Sequence, residues 1–536
     1  MRKIGFKNFR RFKDFEQIEI SGITFVVGKN NSGKSTLVKA ILLLNNYFKS
    51  SNFDSFQFGN EILEDVNIVT YGRAKHIQAE ENLISFTETI ENYEIQIDIT
   101  GNDDQIFGNV YSLKIHDTEN DILFIFSFQN KSIQVVKNKA KSIPKSQIYF
   151  LESIENELTL LQRDLENIAW KKTSKEYIEL VSKIENQNQK KELLLKERND
   201  PNQNIVSNPE FILEDSLDSG LTLNEIVNRV LTRSEMLHDI EFKKIQEGGE
   251  GFEEFDNLRA FKEYNPNKIA ASFIYFMSII NDNSILYMGA NPAKQSALFA
   301  IRDRNNSLAQ AIHDFQQLKI SNGEEEYRFV IKWMKIFEVG NDFKITMHGG
   351  EAYELKISSD ENYVQIADKG MGSIQAVLLI LRIACVIRKI KKMESNLEIQ
   401  RVGNRWEELN SNFNFIYDRT LIIEEPELNL HPALQSKLAD LFLEVKQKYN
   451  INFLIETHSE YILRRSQVLV AENEFEVAPN ENPFRVYYFP NEKDKMPYRL
   501  GYEKDGSFNR NFGNGFFDEA SLSTLELLKL KRQKKA

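Results

Sequence analysis

The pattern of hydrophobic and polar positions changes several times along the chain. Ile23–Val27 is almost uninterruptedly apolar, which predicts a buried strand, and Thr36–Phe48 carries apolar residues at helical spacing. Between Ile68 and Val136, apolar and polar residues alternate as they do in antiparallel strands. Strand-like segments return at Phe343–Met347 and Tyr353–Ile357. The pattern therefore predicts a mixed α/β protein with an antiparallel β lobe in its N-terminal part.

The middle of the chain has a helical pattern. No proline occurs between Leu151 and Arg198, so long helices can continue without interruption there. Apolar residues of this stretch recur at spacings of four and three, at Ile154, Leu158, Leu161, Leu165 and Ile168. We expect two antiparallel helices that form a short coiled-coil hairpin at about residues 151–198, and mostly helices from about 210 to 340. Two amphipathic helices on a core remain the alternative, because each arm is short for a coiled coil.

Composition and charge narrow the class of protein. The 536 residues carry a formal net charge of −11, which argues against a protein that coats nucleic acid or anionic lipid over its whole surface. Three local basic clusters exist, at Lys137–Lys141, Arg388–Lys392 and Lys529–Lys535. Each could contact DNA phosphates or simply face the solvent, so a local DNA contact stays open.

Cysteine content and hydropathy indicate an intracellular protein. Cys385 is the single cysteine, which excludes an intrachain disulfide and a multi-cysteine zinc site. The longest apolar stretch, Ala376–Ile387, is interrupted by Arg382 and is shorter than the roughly 20 residues of a membrane span. The first residues do not form a secretory signal. We therefore expect a cytoplasmic protein without a membrane partner.

A phosphate-binding loop follows the first buried strand. Gly28, Gly33, Lys34 and Ser35 match every fixed position of the pattern, and the loop lies between a strand and a helix, as phosphate binding requires. Lys34 is expected to reach the β and γ phosphates, and Ser35 to offer its hydroxyl to Mg²⁺. The residues predicted to bind ATP here are Gly28, Asn30, Asn31, Ser32, Gly33, Lys34, Ser35 and Thr36.

Two later strands are predicted to bring acids and a histidine to the same site. The apolar run Leu421–Ile423 ends in Glu424, a candidate ligand of Mg²⁺ directly or through water, and in Glu425, a candidate base for the attacking water. A third apolar strand ends before His458, which could sense the γ-phosphate by a hydrogen bond or could be a structural histidine. The predicted catalytic residues are Glu425 and His458.

These motifs together resemble the ABC-type ATPase heads of the SMC, RecF and OLD (overcoming lysogenization defect) group. The resemblance is carried by Gly28–Ser35, by Leu421–Pro432 and by Glu456–Ser459, and it is closest to stand-alone AAA-type ATPases of bacterial antiphage defence systems. It implies that Asn429 and His431 lie at a dimer interface. It also implies that an arginine, Arg10 or Arg11, lies near the nucleotide, with Arg10 the candidate for nucleotide binding.

The resemblance further implies a signature segment that one subunit contributes to the nucleotide of the other. Gly372 and Ser373 occupy the expected place, before the helix that starts at about Ala376, although the segment departs from the usual Leu-Ser-Gly-Gly form. Glu424 stands where most such heads have aspartate. Gln57 and Gln78 are both candidates for the glutamine that such heads place beside the metal, and neither has a diagnostic context.

The fold class implied by the resemblance is a P-loop NTPase of the ABC-ATPase head type, a mixed sheet with an antiparallel β lobe and a helical, coiled-coil insertion. Residues 1–136 would form the first part of the head, residues 137–280 the helical insertion, and residues 281–536 the second part. Only 78 residues follow His458, too few for the nuclease domain of OLD proteins. The Arg233–His238 motif, which some ribonucleases share, is expected by chance in a chain of this composition.

The implied function is hydrolysis of ATP with Mg²⁺. The resemblance implies a homodimer, or a higher even oligomer, that closes on ATP and controls a separate effector protein such as a nuclease or toxin in antiphage defence. A DNA-repair or DNA-clamp ATPase like RecF or SMC is the first alternative. A regulatory scaffold that binds ATP and hardly hydrolyses it is the second.

Overall fold

The structure is a computed structural model of the chain. It describes residues 2–50, 52–59, 66, 68–138, 181, 183–184, 209–216, 272–273, 275–280, 285–290, 296–303, 306–359, 362–401, 419–475, 481–492, 495–513, 517 and 523–529. The predicted coiled-coil hairpin at 151–198 lies outside the described residues, apart from the helical residues 181, 183 and 184. The Arg233–His238 motif lies outside them as well.

Strands and helices are numbered here in chain order. The strands are β1 (Arg2–Phe9), β2 (Phe12–Ile20), β3 (Ile23–Gly28), β4 (Ser55–Gln57), β5 (Ile84–Ile90), β6 (Tyr93–Thr100), β7 (Phe107–Asp117), β8 (Ile122–Ser127), β9 (Ser132–Asn138), β10 (Pro209–Ser216), β11 (Ile285–Met288), β12 (Phe299–Ala300), β13 (Asp342–His348), β14 (Ala352–Ser359), β15 (Asn362–Gln365), β16 (Thr420–Glu424), β17 (Asn452–Glu456), β18 (Phe484–Phe489) and β19 (Tyr498–Leu500). The α-helices are α1 (Lys34–Lys49), α2 (Tyr71–Ala74), α3 (Ser307–Gln317), α4 (Glu325–Ile336), α5 (Met371–Arg401), α6 (Pro432–Tyr449) and α7 (Glu460–Glu472), and a 3₁₀ turn covers Ile366–Asp368.

The central sheet brings the predicted motifs together. Its strand order is β11-β16-β17-β3-β18-β19, and neighbouring strands are parallel except for the last pair. In this order β17 lies between β3, which precedes the phosphate loop, and β16, which precedes the two acids. All three strands therefore end at the same edge of the sheet, because parallel strands present their carboxyl ends on one side.

Both faces of this sheet are covered. Ile23, Phe25 and Val27 of β3 belong to a core that also contains residues of α3 to α7, whereas Val26 belongs to a second core with α1 and the β lobe. Successive side chains of a strand point to opposite faces, so a strand covered on both faces is continuously apolar. This explains why β3 and β16 carry no alternating pattern in the sequence.

The β lobe is a large antiparallel sheet with the order β10-β9-β8-β7-β6-β5-β1-β2, in which β4 also pairs with β7. A smaller antiparallel sheet, β12-β14-β13 with β15 beside β14, lies against α3 and α4. The predicted strands in these two regions are confirmed by the structure, and the reason is that each has one buried face and one more exposed face, which produces alternation with a period of two.

Three strands, β10, β11 and β12, lie in the part of the chain that was predicted to be mostly helical. Residues 209–216 form β10, which pairs antiparallel with β9, with Ile212 opposite Val136. The backbone of β9 would otherwise lie at the edge of the sheet with unpaired N–H and C=O groups, and strand pairing satisfies them. Residues 275–280, also within the predicted insertion, are helical, and Phe276 packs on Tyr93 of the β lobe with ring centroids 5.4 Å apart.

Helix α5 is the apolar helix singled out by the sequence. Its part Met371–Lys392 is long and apolar enough to cross a membrane, but 72% of the apolar window is buried inside the protein. It packs between α3 and α4, where Arg382 pairs with Asp314 and Lys391 pairs with Glu325 and Glu326. The helix is therefore part of the protein core, and Arg388 and Lys391 of its basic cluster already have acidic partners.

The burial of this helix can be checked through Cys385. Its side chain is only 3% exposed, and burial raises the pKa of its thiol to about 12. We expect the folded protein to react with a thiol reagent such as DTNB at pH 8 roughly a hundredfold or more slowly than the protein unfolded in guanidinium, because the thiolate is the reactive form. Since the chain has one cysteine, the unfolded protein should release one equivalent of the chromophore. Rapid reaction of the folded protein would contradict this packing of α5.

Candidate active site

The phosphate loop connects β3 to α1 at the carboxyl edge of the central sheet. Gly33 has a φ of 103°, and a Cβ atom there would lie 2.5 Å from ring atoms of Phe12. Only glycine fits this left-handed, crowded position. Helix α1 begins at Lys34 without a side-chain cap among the described residues. Its first N–H groups are therefore available to an anionic ligand, and the helix dipole favours one.

Lys34 extends back over the loop. Its side chain is 4% exposed, and its ammonium group donates to the carbonyl oxygens of Gly28 and Lys29 at 3.0 and 3.1 Å. Burial lowers the pKa of Lys34, although the charge of Glu456 opposes that shift. The cation is thus held at the bottom of the loop, where phosphate oxygens would complete its coordination.

Glu456 contacts both Ser35 and Lys34. It was not among the site residues predicted from the sequence. The Ser35 hydroxyl donates to the Glu456 carboxylate at 3.0 Å, and the Lys34 Nζ lies 3.6 Å from its other oxygen. Burial raises the pKa of Glu456 to about 7, against the opposing effect of Lys34. The sequence did contain a signal for this residue, because Glu456 is an acid at the end of a largely apolar strand, two residues before His458.

Glu424 is the last residue of β16, which is separated from β3 by β17 in the central sheet. Its carboxylate accepts hydrogen bonds from the Tyr287 side chain and from the backbone of Ala290, and burial raises its pKa. It is not among the residues that line the cavity above the phosphate loop. Its role as a ligand of Mg²⁺, directly or through water, stays a prediction.

Glu425 and His458 lie together at the rim of the site. The Glu425 carboxylate is 3.9 Å from His458 Nε2, and both side chains are about one-third exposed. Glu425 has a φ of 47°, and its N–H donates to the Glu456 carbonyl oxygen at 2.8 Å. The His458 N–H donates to Glu427 at 2.7 Å. These backbone bonds fix two side chains that remain accessible to a ligand.

His458 is neutral at physiological pH. Burial, followed by the charge of Lys34, lowers the pKa of His458 to about 4. A neutral imidazole can both donate and accept a hydrogen bond, whereas an imidazolium can only donate. The environment of His458 therefore suits a hydrogen bond with a phosphate oxygen or with water. The predicted contact with the γ-phosphate stays a prediction.

A cavity of about 1130 Å³ opens above the loop. Its lining combines predicted residues with residues from the β lobe: Arg10, Arg11, Asn30, Asn31, Ser32, Gly33, Lys34, Ser35, Thr36, Lys39, Gly72, Arg73, Lys75, His76, Ile77, Ala79, Asp103, Glu425, Glu456 and His458. The β lobe reaches the cavity because the Arg10 N–H donates to the Ala74 carbonyl oxygen at 2.7 Å, which joins the β1–β2 turn to α2.

Three cations of this lining form a cluster. Burial and then the neighbouring Arg73 lower the pKa of Arg10, and burial and then Arg10 lower the pKa of Lys39. Lys75 pairs with Asp103 at 2.8 Å, whereas no ion pair of Arg10, Lys39 or Arg73 occurs in the described part of the chain. Three mutually repelling cations in a cavity favour a polyanionic ligand. Lys39 lies on α1, one turn after Ser35, and its position was the available signal, whereas nothing in the local sequence links Arg73 to the loop.

Other predicted residues lie outside the cavity. Gly372 packs against the loop after β16, where a Cβ atom at Gly372 would lie 2.6 Å from the Asn429 carbonyl oxygen. Ser373 is partly exposed beside it, and Asn429 and His431 are exposed. The structure thus joins the predicted signature and the predicted interface loop on one surface.

Neither glutamine candidate lines the phosphate cavity. Gln57 is on β4 and lines a separate groove of the β lobe, and Gln78 is exposed in the turn after His76. Arg11, the second arginine candidate, does line the cavity, and its guanidinium donates to the Asn31 carbonyl oxygen of the loop.

The donor set fits Mg²⁺ bound together with nucleotide phosphates. No group of three or more metal-ligating side chains occurs among the described residues, so an all-protein metal cage is absent from that part of the chain. Mg²⁺ usually takes one or two protein oxygens and completes its shell with phosphates and water. Ser35 and Glu456 provide two such oxygens at the loop.

Fold and site together define a P-loop nucleoside triphosphatase. The AAA ATPase domain model matches residues 1–463, and the chain belongs to that family. This confirms the predicted class of a P-loop ATPase. No curated protein matches the chain.

Two solved structures are similar to this chain. One is the Smc head domain with an extended coiled coil bound to the C-terminal domain of ScpA from Pyrococcus furiosus, with 12% identity over 99% of this chain and 100% of that one, and a TM-score of 0.33. The other is SmcHead bound to the C-winged helix domain of ScpA, with 10% identity over 94% and 98% of the two chains, and a TM-score of 0.34.

The cation cluster leads to a prediction about nucleotide affinity. Replacing Arg73 with glutamine should weaken ATP binding roughly tenfold, about 1.4 kcal/mol, because a charge-assisted contact to phosphate is lost. Fluorescence titration with a labelled ATP analogue measures the effect. Lys13→Gln is the matched control, since Lys13 is 58% exposed, pairs with Glu80 and does not line the cavity. Equal affinities of the two variants would contradict a role of the cluster in binding.

Proposed function

We propose that this AAA ATPase hydrolyses ATP with Mg²⁺ in the cavity above the phosphate loop. The observation that carries the proposal is the convergence of four side chains on one cavity. Lys34 and Ser35 lie at its bottom, and Glu425 and His458 lie at its rim. A bound triphosphate would lie between a phosphate-binding pair and an acid–histidine pair, which is the arrangement that phosphoryl transfer to water requires.

In this proposal each side chain has a defined task. Lys34 binds the β and γ phosphate oxygens in place of its contacts to loop carbonyls. Glu425 orients a water and takes its proton while the water oxygen bonds to the γ-phosphorus and the bond to the ADP oxygen breaks. Neutral His458 donates a hydrogen bond to the γ-phosphate. When bound, Mg²⁺ neutralises charge on the phosphate oxygens.

We further propose that two chains form a homodimer, or a higher even oligomer, around two nucleotides. Gly372 and Ser373 would contact the phosphates held by the partner. Their position outside the cavity of their own chain supports this, because they do not line the site that would bind the nucleotide of the same chain. The exposed Asn429 and His431 lie on the same surface as Gly372.

The biological role that we propose is control of a separate effector, such as a nuclease or toxin, in antiphage defence in the cytoplasm. Its support is the resemblance of the motifs to defence ATPases. In the basic cluster Arg388–Lys392, two cations, Arg388 and Lys391, already pair with acids of the same chain. This cluster therefore favours a protein partner over a DNA contact.

Hydrolysis is tested with Glu425→Gln. We expect turnover to fall about 100-fold or more while ATP binding is kept, because the amide cannot accept the proton of the water. Lys34→Ala should instead lose nucleotide binding, because phosphate loses its buried cation. Phosphate release and ATP titration distinguish the two effects. Unchanged turnover in Glu425→Gln would refute the hydrolysis mechanism.

Glu425→Gln also provides a test of dimerisation. With ATP, its mass by light scattering should rise from that of one 62.5 kDa chain to twice that value, because slow hydrolysis preserves the closed state. Adding Ser373→Arg should prevent this rise through a clash with the phosphates of the partner. A dimer that forms equally well in the doubly substituted chain would exclude the proposed signature.

The effector is tested by purification from cells that carry the native operon. We expect one other encoded protein to co-purify with this chain and its amount to change when ATP is added, because closure alters the surface it binds. Mass spectrometry identifies the partner, and Lys34→Ala serves as the control that cannot respond to ATP. Recovery of DNA alone, with turnover stimulated by DNA, would favour a DNA-clamp function instead.

A further inference from the structure

The two acids that follow the central strands are neighbours in the sheet. Glu424 of β16 and Glu456 of β17 are paired in register, and Glu456 is paired in turn with Val26 of β3. Residues paired across parallel strands project to the same face, so both acids lie on the face of the sheet covered by α1. Adjacent strands are roughly 4.8 Å apart, and therefore Glu456 is one strand from β3 whereas Glu424 is two.

The contacts of the two carboxylates follow from this order. Glu456 accepts the Ser35 hydroxyl at 3.0 Å and lines the cavity. Glu424 is engaged by Tyr287 and the backbone of Ala290 and does not line the cavity. A metal at the loop serine would thus meet Glu456 before Glu424.

The separation of the two oxygens also suits Mg²⁺. In an octahedral shell with bonds of about 2.0–2.1 Å, two ligands at right angles lie roughly 3 Å apart. The distance from Ser35 Oγ to the nearer Glu456 oxygen is 3.0 Å, with the proton of the hydroxyl between them. The same oxygen pair could therefore share a cation without a change in the backbone of β17 or α1.

We propose that Glu456, rather than Glu424, is the carboxylate that binds Mg²⁺ directly, and that Glu424 is a positioning residue behind it. This rests on the proposed function, since the metal arrives with the nucleotide. Without ligand, the Lys34 ammonium compensates the charge of the buried carboxylate, and the Ser35 hydroxyl donates a hydrogen bond to it. With nucleotide bound, Lys34 would turn to the phosphates, and Glu456 would hold the cation that accompanies them. The site then holds a buried charge that is compensated both with and without ligand.

The test is the effect of Mg²⁺ on nucleotide affinity, which is independent of turnover. Calorimetric titration with ADP is performed in Mg²⁺ and in EDTA, and the ratio of the two affinities is the readout. Glu456→Gln should reduce this ratio about 10–100-fold, mainly by weakening binding in Mg²⁺. In EDTA its affinity should be kept or increased, because a negative charge beside the phosphates is removed. Glu456→Asp, which keeps a carboxylate, should retain part of the ratio.

Glu424→Gln is the matched comparison, because it is the same change on the neighbouring strand. The proposal requires a clearly smaller reduction of the ratio in Glu424→Gln than in Glu456→Gln. An unchanged ratio in Glu456→Gln, or a larger effect in Glu424→Gln, would overturn it.

Mn²⁺ provides a direct readout of the metal site. Electron paramagnetic resonance should show Mn²⁺ retained with ADP by the wild type and released by Glu456→Gln. Unfolding curves without nucleotide confirm that the variants are folded. If the wild type itself binds no nucleotide, the proposed function fails. If the wild type binds ADP more tightly in Mg²⁺ than in EDTA, and Glu456→Gln shows the same ratio of affinities, only this inference fails and the proposed function stands.

Discussion

The structure of the site depends on a buried cation, the Lys34 ammonium group, which bulk water cannot hydrate. The Lys34 ammonium is 4% exposed, and an unpaired buried charge costs several kcal/mol. Its partners are two carbonyl oxygens of its own loop and the Glu456 carboxylate on the adjacent strand. The ends of β3 and β17 and the start of α1 are therefore placed by one electrostatic requirement. The same groups are left ready for phosphate, because a triphosphate can replace the carbonyl contacts of Lys34 with charged ones.

The sheet that supports this cation is covered on both faces, and this explains how segments distant in the sequence form one site. Leu421 and Ile423 of β16 pack into the core of α3 to α7, while Ile422 packs toward α1 and the β lobe. Burial on both sides fixes the strand order and register, because a shift by one residue would exchange the two faces. The acids at the strand ends follow this register. Their position is therefore a consequence of core packing.

The β lobe is more than an attachment to the ATPase core. The β1–β2 turn and α2 are joined by backbone hydrogen bonds of Arg10 and His76, and through them Arg10 and Arg73 reach the cavity. The close packing of Gly372 against Asn429 also links the start of α5 to the loop that follows Glu425. The loop after Glu425 and the start of α5 are thus in direct contact. This contact is a physical route between the nucleotide site and the surface that carries the exposed Asn429 and His431.

The sequence by itself determined the class of fold, the phosphate loop, and the identity of Glu425 and His458, because each is encoded locally by a buried apolar strand followed by special residues. It also indicated the β lobe through alternation, and the apolar helix α5. Only the tertiary structure decided which acid faces Ser35, since that depends on strand order: β17 lies between β3 and β16, and no local pattern states this. It likewise decided that β10 pairs with β9 and that Lys39 and Arg73 join Arg10. These are contacts between residues far apart in the chain, and local propensity carries no information about such partners.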